Sequence, residues 1–190
     1  MKIITEYHTI GQRYIYPQVQ DDSGKWVVAP GATVDWDRFD ARIVANVPHD
    51  YTGVILLDVE TWPLDAVNAA TPDAAVVAEF MALIVRTRNH APRAQVCFYG
   101  VWNTEVVAAC GWLTIPLYVG ADETLEHYME RTHAVMARGR ALGYPQYPLL
   151  MRQTKGGTII AWFRLKRLVA SLRRDGAAGV LLWPPKGWTP

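Results

Sequence analysis

Along the chain, apolar residues recur sometimes at every second position and sometimes at every third or fourth, and the changes of period predict the elements. Residues 2–8, β-branched and aromatic, predict a first strand, and residues 11–30 a polar and aromatic loop holding Tyr14, Tyr16, Pro17 and Trp26. Within it, Asp21-Asp22-Ser23-Gly24 is a turn signal, followed by a short strand over 25–29. Phe39, Ile43 and Val47 are spaced for one helical face, with Asp35 or Asp37 as the cap. Gly53-Val54-Ile55-Leu56-Leu57-Asp58-Val59-Glu60-Thr61-Trp62 opens as a nearly unbroken apolar run. Such a run is the pattern of a strand buried on both faces, and Pro63 is expected to stop it.

Pro72 and Asp73 open a long helix to about Asn89, with Val76, Phe80, Leu83 and Ile84 as its stripe. Strands follow at 95–101 and 114–119, separated by a short helix over 104–110. Asp122 or Thr124 starts a helix to about Leu142, closed by Gly143 and Pro145. A strand at 149–153, a loop at Gly156-Gly157 and a helix from a Thr158 cap to Arg174 come next. Gly176 ends that helix, and 179–183 is the last strand. Strand and helix alternating in this way call for a parallel sheet with right-handed crossovers. No glycine-rich phosphate loop opens any helix, which removes the usual nucleotide-binding reading. The expected fold is therefore α/β: a small, TIM-like barrel, incomplete or irregular, with six or seven parallel strands where about 250 residues are typical of eight units. A flavodoxin-like open sheet is the runner-up.

Composition narrows the partners. A chain of 190 residues, 51% hydrophobic and 19% charged, is expected to form a single globular domain spanning 1–190. A formal net charge of +1 argues against a general affinity for nucleic acid or for anionic membranes, and no run is long enough for a membrane span. Met1-Lys2-Ile3-Ile4-Thr5-Glu6 has no apolar core of signal-peptide length, so a cytoplasmic or virus- or phage-borne protein is expected. Cys97 and Cys110 make neither a disulfide framework nor a metal motif and read as buried thiols. Arg164, Lys166, Arg167, Arg173 and Arg174 read as a solvated helix face, while Trp112 and Trp188, in loops, are candidates for a subunit contact.

The chemistry gathers at the strand ends. Asp58 and Glu60, two positions apart, point to one side of their strand, roughly 6.5–7 Å apart along the backbone, and Ile55, Leu57 and Val59 point to the other. The same parity puts Tyr99, Tyr118, Met151 or Arg152, and Trp183 at the inward ends of later strands, with Tyr7 or His8 from the first. Two acids among tyrosine hydroxyls and a tryptophan suit a neutral, hydroxyl-rich ligand such as a sugar. Acids this close on one strand cannot flank a scissile bond from opposite sides, as in ordinary glycosidases. They suit Glu60 as proton donor, with the substrate's own acetamido group as nucleophile, oriented by Asp58, whose charge would raise the pKa of Glu60. Against this stand three alternatives. The acids cap a helix or pair with an arginine; they hold a divalent metal, for which the strand offers few oxygen ligands and the five histidines no spacing; or a metal- or phosphate-dependent lyase or hydrolase uses the barrel. No cofactor is expected.

Asp58-Val59-Glu60-Thr61-Trp62-Pro63 resembles the D-x-E-x-W segment of the hyaluronidase family of glycoside hydrolases. Other pieces are similar in order: Ile10-Gly11-Gln12-Arg13-Tyr14-Ile15-Tyr16-Pro17 to a Gly-x-Tyr-Pro loop, Phe98-Tyr99-Gly100 to a Gly-Tyr-Tyr run, Ile115-Pro116-Leu117-Tyr118 to a Tyr-Pro-Ser-Ile-Tyr strand, and residues 176–183 to the strand ending in Trp. The resemblance implies a substrate-assisted retaining hydrolase of an N-acetylhexosamine-containing glycan on an irregular barrel. It implies Glu60 as acid/base, Asp58 as its partner, and Tyr118 and Trp183 in the acetamido pocket; Tyr99, Arg152 and Trp62 are further candidate substrate contacts. Met151 stands where the family carries a tyrosine beside its arginine, and the family's paired disulfides have no counterpart. The chain also begins near the family's second strand. A barrel that binds carbohydrate, or serves structurally in a virus or phage, without turnover is the alternative.

Overall fold

A computed structural model describes residues 2–117, 123–151 and 160–183. In chain order the elements are β1 (Lys2–Ile4), β2 (Tyr7–Gly11), a 3-10 turn (Gln12–Tyr14), β3 (Val19–Gln20), β4 (Trp26–Val27), α1 (Trp36–Asn46), β5 (Val54–Asp58), α2 (Thr61–Asn68), α3 (Ala74–His90), β6 (Gln95–Phe98), α4 (Thr104–Cys110), β7 (Pro116–Leu117), α5 (Leu125–Ala141), β8 (Leu149–Met151), α6 (Trp162–Arg174) and β9 (Gly179–Trp183). They fall into two compact units, one of residues 6–111 and one of residues 1–5 with 112–190.

In the first unit β2, β5 and β6 form a parallel sheet in that order, and β3 pairs antiparallel with β4. Parallel register sets Ile10 beside Leu57 and Leu57 beside Phe98, so these three share a face. That face meets the helix layer: Phe98 stacks on Phe80 of α3, centroids 4.4 Å apart at 29°. Caps fix the helices where the sequence places them. Asp35 accepts from the Arg38 N–H, Asp73 from Ala75 and Val76, and Asn103 from Glu105 and Val106. Gly111 closes α4 at φ +80°, a left-handed conformation glycine adopts without strain. The Asp21 carboxylate accepts from the Ser23 N–H and hydroxyl and the Lys25 N–H, making the expected turn between β3 and β4. Cys97 and Cys110 are buried and form no disulfide, and a hydrogen bond with Cys97, followed by burial, pushes the Cys110 thiol up.

In the second unit β1, β9, β8 and β7 form a parallel sheet in that order. Thr124 caps α5 by accepting from the His127 N–H. The basic residues of α6 are exposed, while Leu165, Leu168 and Leu172 are buried.

Four expectations need correction. Residues 2–8 are not one strand: β1 pairs with β9 and β2 with β5, and β2 runs on to Gly11. Pro63 does not end an element; it is the third residue of α2, in the first turn, where its missing N–H has no intrahelical partner to lose. Trp112 is buried, edge-on to Tyr147 at 4.9 Å, and so belongs to the core and not to a subunit contact. The last helix begins at Trp162 with Ala161 at its cap, and Thr158, Gly156-Gly157 and Trp188 lie outside the described residues.

Candidate active site

The acidic segment lies at the carboxyl end of β5, the central strand of its sheet. Val54 to Leu57 are buried, and the first polar residue is Asp58, half-buried. Asp58 follows Leu57, so its side chain lies on the face away from α3. Tyr99 shares that face: it follows Phe98, and its N–H still donates to the Leu57 carbonyl at 3.0 Å. Gly11, in register with Asp58, completes the row. A Cβ added at Gly11 would meet nothing within 4 Å among the described residues.

Glu60 lies beyond the strand, at the N-cap of α2, with extended backbone (φ −121°, ψ −173°) and an exposed side chain. The strand-only geometry is thus corrected: Asp58 is the last strand residue and Glu60 stands at the strand–helix junction. Thr61, next in line, has φ +56°, the one non-glycine residue with positive φ among those described. For a β-branched residue this left-handed conformation is strained, and strain of this kind clusters at functional sites. Its surroundings hold it. The Glu60 N–H donates to Gln12 Oε1 at 2.8 Å, the Thr61 hydroxyl is 3.3 Å from the same oxygen, and the Val28 N–H donates to that hydroxyl at 3.3 Å. Gln12 had no assigned role in the sequence. Its one signal there is a lone carboxamide directly after an apolar strand end, and its partners are 48 and 49 residues away.

Burial, and secondly the charge of Glu60, raise the Asp58 carboxyl from an ordinary 3.8 to about 6. Asp58 is also the less exposed member of the pair. Among the described residues neither carboxylate accepts a helix-capping hydrogen bond or pairs with an arginine. No cluster of three or more His, Cys, Asp or Glu side chains there is arranged to hold a metal ion.

The other expected site residues are distributed as follows. Trp62 is half-buried in the first turn of α2, and Tyr99 is buried after β6. The Asn68 carboxamide secures the loop beyond Tyr99, donating to the Gly100 carbonyl at 3.0 Å and accepting from the Trp102 N–H at 2.7 Å. Trp183 ends β9 in the other unit, in register with Met151. Tyr118 and Arg152 lie outside the described residues. Tyr7 and His8 are not at this end of the sheet: they pair with Val54 and Ile55, and His8 packs edge-on to Tyr51 at 4.7 Å. The end of β2 that meets Asp58 is Gly11.

Parallel strands alternating with helices, split between two sheets, with acids at a strand's carboxyl end, define an irregular α/β architecture similar to the barrel of the hyaluronidases. The similarity extends over nearly the whole chain. Bee venom hyaluronidase, in its complex with a hyaluronic acid tetramer, matches over 96% of this chain and 78% of its own, with a TM-score of 0.67 and 12% identity. The monoclinic crystal structure of bee venom hyaluronidase matches over 94% of this chain and 78% of its own, at TM-score 0.67 and 11% identity. No protein-family model matches the sequence, and no curated protein matches it. At such identity the likeness is one of fold. Among the described residues no helix is long and apolar enough to cross a membrane.

Proposed function

We propose that the chain is a glycoside hydrolase of N-acetylhexosamine-containing glycans, working by substrate-assisted retention with Glu60 as acid/base. The observation that carries this reading is the acid pair itself, two carboxyls at the carboxyl end of β5 without a structural partner among the described residues. The hyaluronidase-like fold supports it. Below about pH 6 the pair holds a proton on Asp58. When an acetamido N–H approaches Asp58, its hydrogen bond favours the anion, and the proton passes to Glu60 at the solvent side. Glu60 gives that proton to the glycosidic oxygen as the bond to the anomeric carbon breaks. The acetamido carbonyl oxygen attacks that carbon, forming a cyclic oxazolinium whose charge the Asp58 carboxylate offsets. Glu60, now anionic, takes a proton from water, and the water oxygen opens the ring with net retention. Trp62 and Tyr99 are proposed to contact the sugar. Tyr118, Arg152 and Trp183 enter this reading from the sequence alone, through strand parity and the resemblance.

Glu60→Gln is expected to abolish release of chromophore from a chromogenic N-acetylhexosaminide, or cleavage of a chitin oligomer, while thermal unfolding stays unchanged. Unaltered turnover in that variant removes the assignment. Met151, where the hyaluronidases carry a tyrosine, favours one other reading, a carbohydrate-binding or structural protein without turnover. On that reading the wild-type protein binds such oligomers and releases no product over days.

A further inference from the structure

The turn after β2 reaches both acids. Gly11 is paired in register with Asp58, and Gln12 follows it. Through its side-chain oxygen Gln12 accepts from the Glu60 N–H at 2.8 Å and stands 3.3 Å from the Thr61 hydroxyl. We infer that Gln12 is a positioning residue: one turn fixes Asp58 through the sheet and Glu60 through this carboxamide, so it sets the spacing of the pair. The inference rests on Glu60 being the acid/base.

Three features make this more than local packing. The Glu60 side chain is exposed and has no partner among the described residues, so only its backbone places it. That backbone leads into Thr61, whose φ of +56° a β-branched residue does not hold unaided. Among the described residues, Gln12 Oε1 and the Val28 N–H are the two anchors outside the segment that hold it. With Gln12 Oε1 removed, Thr61 is free to relax toward negative φ and to turn the Glu60 carboxyl away from Asp58. Misplacement of a reacting group by about 1 Å costs on the order of 100-fold in rate.

The test uses the full chain and a chromogenic N-acetylhexosaminide. Gln12→Met keeps the length of the side chain and removes the acceptor; kcat is expected to fall about 10- to 100-fold, with KM changed less than about threefold. Gln12→Glu keeps an acceptor for both donors and adds a negative charge beside the pair. It is expected to recover most of kcat and to move the high-pH limb of the rate profile upward, because a nearby anion raises the pKa of a carboxyl. A purely structural role would lower the melting temperature and leave that limb in place. Wild-type kcat in Gln12→Met, or an unmoved limb in Gln12→Glu, overturns the inference; should Gln12→Met fail to fold, Gln12→Glu decides alone. Full activity in Glu60→Gln would instead overturn the function itself, so the two failures are distinct.

Discussion

The Tyr16 hydroxyl donates to Glu79 Oε2 at 2.9 Å, joining residues 63 apart, while Glu79 Oε1 accepts from the Val34 N–H at 3.2 Å. One carboxylate on α3 thus fastens both ends of the segment that holds the β3–β4 hairpin. Tyr16 is fully buried, and burial followed by the Glu79 charge pushes its hydroxyl well above its ordinary range. Tyr16→Phe leaves a carboxylate oxygen without its donor and is expected to cost about 1–3 kcal/mol. Glu79→Ala, which strips both contacts, is expected to cost at least as much. Urea unfolding of the two variants measures this.

Asp58 binds its proton more tightly folded than unfolded, at about 6 against 3.8. Stability from this group is therefore fully present below pH 3.8, falls as the pH rises toward 6, and is absent above it. The full swing is on the order of 3 kcal/mol. Asp58→Asn is expected to stabilise the protein at pH 7 to 8 and to flatten the slope between pH 4 and 6, as read from unfolding at a series of pH values. The same variant is expected to lose activity, a trade commonly found where a site keeps a desolvated acid.

The rate profile tests the same proton. If the pair works with one proton shared between its members, kcat/KM declines as pH rises through about 6. In Asp58→Asn that limb should vanish from whatever activity remains. A wild-type profile flat from pH 5 to 8 would detach the raised pKa from turnover.

The stacked pair Phe80 and Phe98 locks α3 to β6 immediately before Tyr99. Both rings are almost wholly buried, so Phe80→Ala or Phe98→Ala is expected to cost about 3–5 kcal/mol. Val85→Ala on the same helix, 55% exposed, should change stability by less than about 0.5 kcal/mol. Denaturant midpoints compare the three.

What could be read in advance follows from how local the physics is. α3 and α4 begin where Asp73 and Asn103 cap them, and β9 ends at Trp183, because caps, glycines and apolar runs act within a few residues. The acid pair was legible for the same reason, standing at the end of a strand with no polar residue before Asp58. Pro63 misled because a proline that stops an element and one that opens a helix look alike without the neighbouring backbone. The break between β1 and β2 was invisible, since alternation says which residues share a face and not which strand will pair. Gln12 stands inside a legible motif, yet its role is not legible there, because that role depends on partners 48 and 49 positions away.

The chain changes sheets at Thr5-Glu6, and this bears on its synthesis. Residues 6–111 are contiguous and can collapse as soon as they clear the ribosome. β1 emerges before all of them, yet its strand partner is β9, translated last among the described strands. Until then its backbone amides and carbonyls wait without a mate, an open invitation to any other nascent strand.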